Sequence, residues 1–203
     1  MSQQLSIDTI ERQLGLHNAV ELSPHSFSRH AAVAVILREG SGSEVDILFI
    51  RRAERDGDPW SGHMAFPGGH LEADDASLKI AAIRETSEEI GIDLHAAKYL
   101  GPLDHQDANP RGRKLNMLIA PHVFVLESAQ KPKLNYEVAE TVWTPLKPIF
   151  TGDNHTIEDR LLGGHATPFD GYRIQGKHFV WGLTYRMLHS FCSVIDSNWS
   201  PPA

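Results

Sequence analysis

One helix, marked at both ends by the sequence, constrains this chain more than any other segment. The stretch from Ala76 to Ile90 contains no glycine or proline, and Gly91 follows it directly. A glycine just past a run of helix-forming residues is a common C-terminal stop, and Asp74 or Asp75 stands where an N-terminal cap belongs. The pattern therefore predicts a helix over residues 76–90.

Three glutamates share one side of this predicted helix near its end. At about 100° per residue, Glu88 and Glu89 fall within roughly 60° of Glu85. The apolar and small residues on the same side, one and two turns earlier, are Leu78, Ala81 and Ala82. A charged run on a helix is usually a solvated face, but carboxylates that continue an inward stripe are costly to bury unless a cation neutralises them. We therefore expect the three carboxylates to point inward and to bind a metal ion.

The ligand types indicate which ion such a site would hold. Carboxylate oxygens favour hard cations, and a few of them with open water positions suit Mg²⁺ or Mn²⁺ bound together with substrate phosphates. The twelve histidines show no metal-type spacing such as H-x-x-x-H. A calcium-stabilised structural domain would use the same carboxylates, but it would not explain Gly68-Gly69 and the basic loops.

The remaining pattern predicts an α/β fold of the α+β sandwich type, with a mixed central sheet flanked by helices. Residues 31–37 and 45–50 read as a buried hairpin, and residues 138–143 as another strand. Pro121 is expected to break or bulge a strand over 115–126. Helices are predicted at 6–17 and 179–195, and residues 147–177 read as an irregular surface excursion. We expect a domain over 29–197, preceded by a helix and linker over 1–28.

Composition limits the partners and the compartment. The chain has 203 residues and a formal net charge of -7, which argues against binding nucleic acid or an anionic membrane. No apolar stretch approaches the ~20 residues needed to cross a bilayer. Cys192 is the single cysteine, so we expect a reducing, cytoplasmic setting. The oligomeric state is left open, with a homodimer as one option.

The segment Arg84 to Ile92 reads RETSEEIGI and resembles the second half of the Nudix box, R-E-U-x-E-E-x-G-U, where U is aliphatic. Gly68-Gly69 resembles the beginning of the box. Thr86 replaces the usual aliphatic residue, and the interval from Gly69 to Arg84 is one residue longer than the general pattern, with Asp75 near the place of an earlier glutamate. The resemblance implies a Nudix fold and Mg²⁺- or Mn²⁺-dependent hydrolysis of a nucleoside diphosphate linked to another group.

Three features look like the coenzyme A diphosphatase branch of that family. These are the longer interval, the segment AFPGG at 65–69 and the segment WGLT at 181–184. Three features depart from the branch. Ile50 stands where it usually has threonine, residues 56–61 fill a loop one residue longer, and Gly62-His63 replaces its usual Gly-Gln. Coenzyme A or acyl-coenzyme A is the expected substrate. The alternatives are a nucleotide sugar, ADP-ribose, a nucleoside triphosphate, or a regulatory domain that binds a nucleotide without turnover.

The resemblance also implies roles for individual residues. Glu88 and Glu89 are the expected metal ligands, and Glu85 is either a third ligand or the general base. Gly69 either offers its backbone carbonyl to the ion or is a plain turn glycine. Arg84 is expected to orient Glu88 from one helical turn away.

Residues outside the box complete the expected site. Members of the family often add an acid from a distant loop, and we favour Glu137 over Glu140 for that part. The substrate phosphates are expected to meet arginines through paired hydrogen bonds. The candidates are Arg51, Arg52, Arg55 and Arg113, the last in a basic loop with Arg111 and Lys114. Trp60 and His63, close to the box, are interpreted as structural.

Overall fold

The computed structural model describes residues 5–57, 60–108, 115–162 and 164–202. Its helices are α1 (Ile7–Leu16), α2 (Leu78–Ile90), α3 (Lys147–Thr151) and α4 (Gly182–Ile195). The large sheet comprises β1 (Arg29–Glu39), β2 (Val45–Arg52), β3 (Met64–Ala65), β4 (Gly68–His70), β5 (Lys98–Pro102), β6 (Gln106–Asp107), β7 (Met117–Leu126) and β8 (Val138–Pro145). A second, smaller sheet comprises β9 (His155–Leu162), β10 (His165–Ile174) and β11 (His178–Trp181).

The large sheet is mixed, and its strands run in the order β3-β2-β1-β7-β5. β1 and β7 pair in parallel along their whole length, from Arg29 opposite Met117 to Arg38 opposite Leu126. On its other edge, β1 pairs with β2 over residues 37–39 and with β4 over residues 31–33. β4, which carries Gly68 and Gly69, is therefore held against the first half of the central strand.

Helices cover both faces of the sheet, as predicted. Alternate side chains of β1 point to opposite faces, so Val33 and Val35 join one buried layer, whereas Ala34 and Ile36 join the other. The first layer includes Ile10 of α1 and residues of α4, and the second is closed by α2. No helix in the described part of the chain is both long and apolar enough to span a membrane.

The predicted helix over 76–90 is confirmed as α2, but its cap is a different residue. The helix starts at Leu78, and the Ser77 side chain accepts a hydrogen bond from the Ile80 N–H at 3.3 Å. Asp75 instead accepts from the Glu72 N–H and pairs with Arg84. Gly91 ends the helix in the left-handed conformation, as expected.

Pro121 neither breaks nor bulges its strand, so that expectation was wrong. β7 keeps an unshifted parallel register with β1 through this residue. A strand residue directs its nitrogen and carbonyl to the same side, and the Pro121 carbonyl accepts from Leu103, between β5 and β6. The missing N–H therefore faces a gap between two short strands, where no ladder bond is required.

The irregular excursion predicted for 147–177 was also wrong. This segment forms α3 and the antiparallel pair β9–β10, and β10 continues into β11. Several of its glycines lie in the turns between elements, including Gly152, Gly164 and Gly176. The closing helix starts at Gly182, because residues 178–181, assigned largely to that helix from the sequence, pair with β10 instead.

Candidate active site

Glu89 is the most deeply buried carboxylate at the end of α2. Only 2% of the residue is exposed, and its Oε2 accepts a hydrogen bond from the Gly68 backbone N–H at 2.9 Å. Burial raises the pKa of Glu89 to about 7, the Gly68 N–H opposes that rise, and the charge of Glu85 adds to it. A carboxylate kept in so dry a place favours a nearby positive charge.

Gly69 lies directly against the carboxylate of Glu85. A Cβ atom on Gly69 would stand 2.5 Å from Glu85 Cδ and Oε1. The Glu85 side chain is 16% exposed, and burial raises its pKa while Arg84 lowers it. Any side chain at position 69 would therefore displace the Glu85 carboxylate.

Gly68 is fixed by a different constraint, from the backbone. It has a φ of 149°, and a Cβ atom there would lie 2.2 Å from the carbonyl oxygen of Ala32 in β1. A glycine accepts both this conformation and this close approach. The pairing of β4 with β1 thus holds the Gly68 N–H in the position from which it donates to Glu89.

Glu88 departs from the expectation that all three carboxylates point inward. Its side chain is 57% exposed, and one oxygen lies 3.3 Å from an Arg84 nitrogen. The helical spacing places Glu88 on the same side of α2 as Glu85 and Glu89, but no neighbouring element covers it to the same depth. The three glutamates therefore range from buried to exposed.

Arg84 connects the acidic residues of the site. Its Nε and one terminal nitrogen donate to the two oxygens of Asp75 at 3.0 and 2.8 Å, and it also donates to the His70 carbonyl at 2.9 Å. Its other terminal nitrogen lies 3.1 Å from Glu85. Asp75 is 3% exposed at its side chain, and the hydrogen bonds from Arg84 lower the pKa of Asp75. Asp75 and the helix thus hold the guanidinium in one orientation.

The donor set fits a hard divalent cation, although it is not already gathered around one point. Among the described residues, no three Asp, Glu, His or Cys side chains form a ready-made ion site. Arg84 stands between Glu85 and Glu88 as their present counter-charge. The buried carboxylate of Glu89 and the space that Gly69 leaves beside Glu85 are the features that suit a cation.

Of the two acids proposed from the distant segment, Glu137 lies near α2. The Asn135 N–H donates to the Glu89 carbonyl at 2.9 Å, and the charge of Glu137 raises the pKa of Glu89. Glu140 has other partners, because Lys177 donates to it at 2.9 Å and His178 lies 3.4 Å away. Glu137 is therefore the one of the two that lies close to Glu89, and its role stays a prediction.

The predicted phosphate-binding arginines separate into two places. The charge of Arg52 lowers the pKa of Glu89, so Arg52 lies on the side of the glutamates. Arg51 and Arg55 line a pocket of about 660 Å³. Arg55 also donates to Glu137 at 3.3 Å, which joins the pocket to the glutamates. Arg113, with Arg111 and Lys114, lies outside the described residues.

A family model described as the NUDIX domain matches residues 28–162, about two thirds of the chain. The chain belongs to the Nudix family. The match includes the whole of α2 and the two glycines of β4. Strands β10 and β11 of the smaller sheet and helix α4 lie beyond it.

Curated Nudix proteins and one solved structure show how far the likeness extends. The chain is 30% identical over 159 residues to the mitochondrial coenzyme A diphosphatase NUDT8 of Mus musculus, covering 77% of this chain and 74% of that protein. It is 29% identical over 181 residues to Nudix hydrolase 15, mitochondrial, of Arabidopsis thaliana, covering 86% and 61%. A MutT/nudix family protein from Enterococcus faecalis shares the fold, with a TM-score of 0.54 at 17% identity over 96% of this chain and 71% of that one. The chain spans about half to three fifths of the length of several curated relatives.

The WGLT segment contacts the residues that directly precede the AFPGG segment. The Thr184 hydroxyl, in the first turn of α4, donates to the Met64 carbonyl at 3.1 Å, and the ring of Trp181 packs 4.7 Å from that of His63. Segment 181–184 thus braces the chain just before Gly68 and Gly69. His63 and Trp60 both have contacts with other residues.

The sequence reasoning missed the residues that the second sheet brings to this region. Arg160, Lys177, His178, Phe179 and Trp181 line the same pocket as Arg51 and Arg55. Apart from Trp181, which belongs to the WGLT segment, these residues lie in no motif, and most of their segment was predicted to be irregular. The available signal was the strand-like stretch His155 to Leu162, which has a β-branched pair at its start.

Proposed function

We propose that this protein is a metal-dependent hydrolase that cleaves the diphosphate bond of a nucleoside diphosphate linked to another group. The observation that carries the proposal is the buried Glu89 carboxylate, fixed by the Gly68 N–H beside Glu85. Such an arrangement disfavours the charged form of Glu89 until a cation joins it. The family membership gives this arrangement its chemical context.

Mg²⁺ or Mn²⁺ is the proposed cofactor, with Glu85, Glu88, Glu89 and the Gly69 carbonyl as the residues that would hold it. When bound, such an ion supplies charge neutralisation for the diphosphate and a more acidic water. Asp75 and Arg84 keep Glu85 and Glu88 in place. Glu85 or Glu137 would accept the proton of the attacking water, and Arg52 would meet phosphate oxygens.

Coenzyme A or acyl-coenzyme A is the proposed substrate within this class. Support comes from the AFPGG and WGLT segments, since Thr184 of the second donates to Met64, the residue directly before the first, and from the relative whose name is coenzyme A diphosphatase. The alternatives are a nucleotide sugar, ADP-ribose, a nucleoside triphosphate, or nucleotide binding without turnover. The cytoplasm is the proposed compartment, although the names of two relatives are mitochondrial. A homodimer, and domain limits of 29–197, stay predictions.

A substrate panel tests the proposal directly. Coenzyme A, acyl-coenzyme A, ADP-ribose, nucleotide sugars and nucleoside triphosphates are each incubated with Mg²⁺ or Mn²⁺, and products are identified by mass. Release of adenosine 3',5'-bisphosphate from coenzyme A is the expected result. Full activity in excess chelator, or in a Glu88→Gln or Glu89→Gln variant, would contradict the metal assignment. Cleavage of ADP-ribose alone would overturn the substrate but not the reaction.

A further inference from the structure

A pocket beside the candidate active site carries an excess of basic side chains. It has a volume of about 660 Å³ and lies between the C-terminal end of β2 and the second sheet, and pockets of roughly 300–1,000 Å³ commonly hold small ligands. Among the described residues, it is lined by four Arg and Lys side chains and by two acidic ones, Glu54 and Asp56; the four are Arg51, Arg55, Arg160 and Lys177, with His63 and His178 beside them. We call it the basic pocket. Such an excess stands out in a chain whose net charge is -7.

The basic pocket adjoins the glutamates through Arg55. This arginine lines the pocket and donates to Glu137 at 3.3 Å. The charge of Glu137 in turn raises the pKa of Glu89, so Glu137 lies close to that carboxylate. Arg51 and Arg52 are adjacent in β2. Arg51 lines the pocket, whereas Arg52 lies on the side of the glutamates, where its charge lowers the pKa of Glu89. One extended ligand would therefore reach both regions around the end of β2.

The cations of the pocket keep donors for an incoming anion. Arg160 donates to Glu158 at 3.2 Å and lies 5.0 Å over the ring of Phe179, which together orient a guanidinium that has five N–H groups. Lys177 donates to Glu140 at 2.9 Å through an ammonium with three N–H groups, on a side chain that is 60% exposed. Arg51 lies 3.7 Å from Glu54 and Glu140, a charge contact longer than a hydrogen bond.

We propose that the basic pocket binds a phosphomonoester of the substrate, apart from the diphosphate that is cleaved. A phosphomonoester carries about 1.5–2 negative charges at neutral pH and three acceptor oxygens, which suits several cations approaching from different elements. The preferred substrates are therefore nucleotides with this additional phosphate. The inference rests on the proposed function and specifies which half of the substrate decides recognition.

One part of the pocket wall, formed by Lys177, His178, Phe179 and Trp181, lies beyond residues 28–162, the segment that the family model matches, and Arg160 lies close to the end of that segment. The reacting carboxylates lie within that segment. A wall added outside the shared part of the fold is suited to selecting a substrate, whereas the shared part carries the chemistry. This division separates the effects of variants in the two places.

The test compares coenzyme A with dephospho-coenzyme A, which lacks the phosphomonoester. We expect Arg160→Gln and Lys177→Gln each to lower kcat/KM for coenzyme A about tenfold, through KM, and to leave dephospho-coenzyme A almost unchanged. Arg173→Gln is the matched control for the first variant, because Arg173 also pairs with Glu158 but does not line the pocket. Lys98→Gln is the control for the second, because Lys98 is paired with Glu11 and also lies outside the pocket.

Equilibrium binding keeps this inference separate from the proposed function. Titration calorimetry with adenosine 3',5'-bisphosphate and with AMP needs no turnover. We expect the bisphosphate to bind the unmodified protein more tightly, and the difference to fall about tenfold in Arg160→Gln. Equal affinities, or equal losses for both substrates in the kinetic comparison, would overturn the phosphate assignment. Absence of cleavage of every substrate in the panel, with the binding difference intact, would instead overturn the proposed function.

Discussion

The backbone N–H of Gly68 donates to Oε2 of Glu89 at 2.9 Å, from a strand that is itself paired with the centre of the sheet. This bond fixes a carboxylate that is 2% exposed. Because Gln keeps the acceptor oxygen and loses the charge, Glu89→Gln is expected to preserve the fold and lower kcat at least ~100-fold. Steady-state kinetics and thermal unfolding check this. The exposed Glu127 provides a control, since Glu127→Gln is expected to leave both measurements unchanged.

The same carboxyl group predicts a pH dependence of stability in the absence of metal. The folded-state pKa of Glu89 is about 7, above the ordinary glutamate value of 4.5, so between these pH values the folded protein holds a proton that the unfolded chain has lost. Stability therefore falls as pH rises from 4.5 to 7, by up to roughly 3 kcal/mol. Urea unfolding with chelator at pH 5 and pH 8 should show this loss in the unmodified protein and not in Glu89→Gln. If the free energy of unfolding changes with pH equally in the two proteins, Glu89 is not the group responsible.

Metal binding should displace that proton. At pH 6 the Glu89 carboxyl group is largely protonated in the folded protein, whereas at pH 8.5 it is largely ionised. Mg²⁺ added at pH 6 is therefore expected to release close to one proton for each ion bound, and far less at pH 8.5. Calorimetry in buffers of different ionisation enthalpy measures the number of protons released for each ion bound. Equal release at both pH values would remove Glu89 from the ligand set.

The two glycines of β4 should fail in different ways. In Gly68→Ala the new Cβ atom meets the Ala32 backbone at 2.2 Å, so unfolding should become easier by about 2–4 kcal/mol. In Gly69→Ala it meets the end of the flexible Glu85 side chain at 2.5 Å, so stability should change by less than ~1 kcal/mol while activity falls steeply.

Gly15→Ala serves as the control for both glycine variants, because nothing lies within 4 Å of its added Cβ atom. Helix α1 should tolerate that change or gain about 0.5–1 kcal/mol. Chemical denaturation and kcat are measured on all three proteins. Normal activity in Gly69→Ala would mean that Glu85 has no constrained position in the reaction.

Asp75 is predicted to act by positioning Arg84. Asp75→Asn removes one of two charge-assisted hydrogen bonds to a guanidinium that also contacts Glu85. We therefore expect kcat to fall ~10- to 100-fold and the free energy of unfolding to decrease by about 1–3 kcal/mol. Since Arg84 lowers the pKa of Asp75, this stabilisation is present at neutral pH and is lost as pH falls through the folded-state value. The stability gap between the two proteins should therefore close in acid.

Asp46→Asn is the matched control for Asp75→Asn. Arg38 donates to Asp46 through two nitrogens, at 3.1 and 3.0 Å, in a pair remote from the glutamates. Its loss should affect stability and leave kcat unchanged. If the two variants lower kcat equally, the effect of Asp75 would be a general loss of folding and not the orientation of Arg84.

The helix and two of its three glutamates were predictable because their signals are local. Helical spacing and a terminal glycine fix α2, and the turn angle places Glu85 and Glu89 together. The exposure of Glu88 was not predictable in this way. A helical wheel gives the direction of a side chain around the axis, whereas burial also depends on which neighbouring elements cover each turn.

The basic pocket could not be derived from local pattern. Arg160 and Lys177 are separated from Arg51 by more than half of the chain, and they meet it because β10 and β11 place a second sheet beside β2. Asp75 shows the same limit on a smaller scale. Its position suited a helix cap, but the guanidinium of Arg84 offered two donors and Ser77 was available to cap the helix.

The residue count of β2 limits where the chain can gain or lose residues. Arg51 faces the basic pocket and Arg52 faces the glutamates, although they are neighbours in one strand. Inserting or deleting a single residue within the strand would exchange the two faces. Related chains that align with this one should therefore vary in length after Arg55 and keep the residue count of β2 constant, since that count decides which arginine serves which side of the sheet.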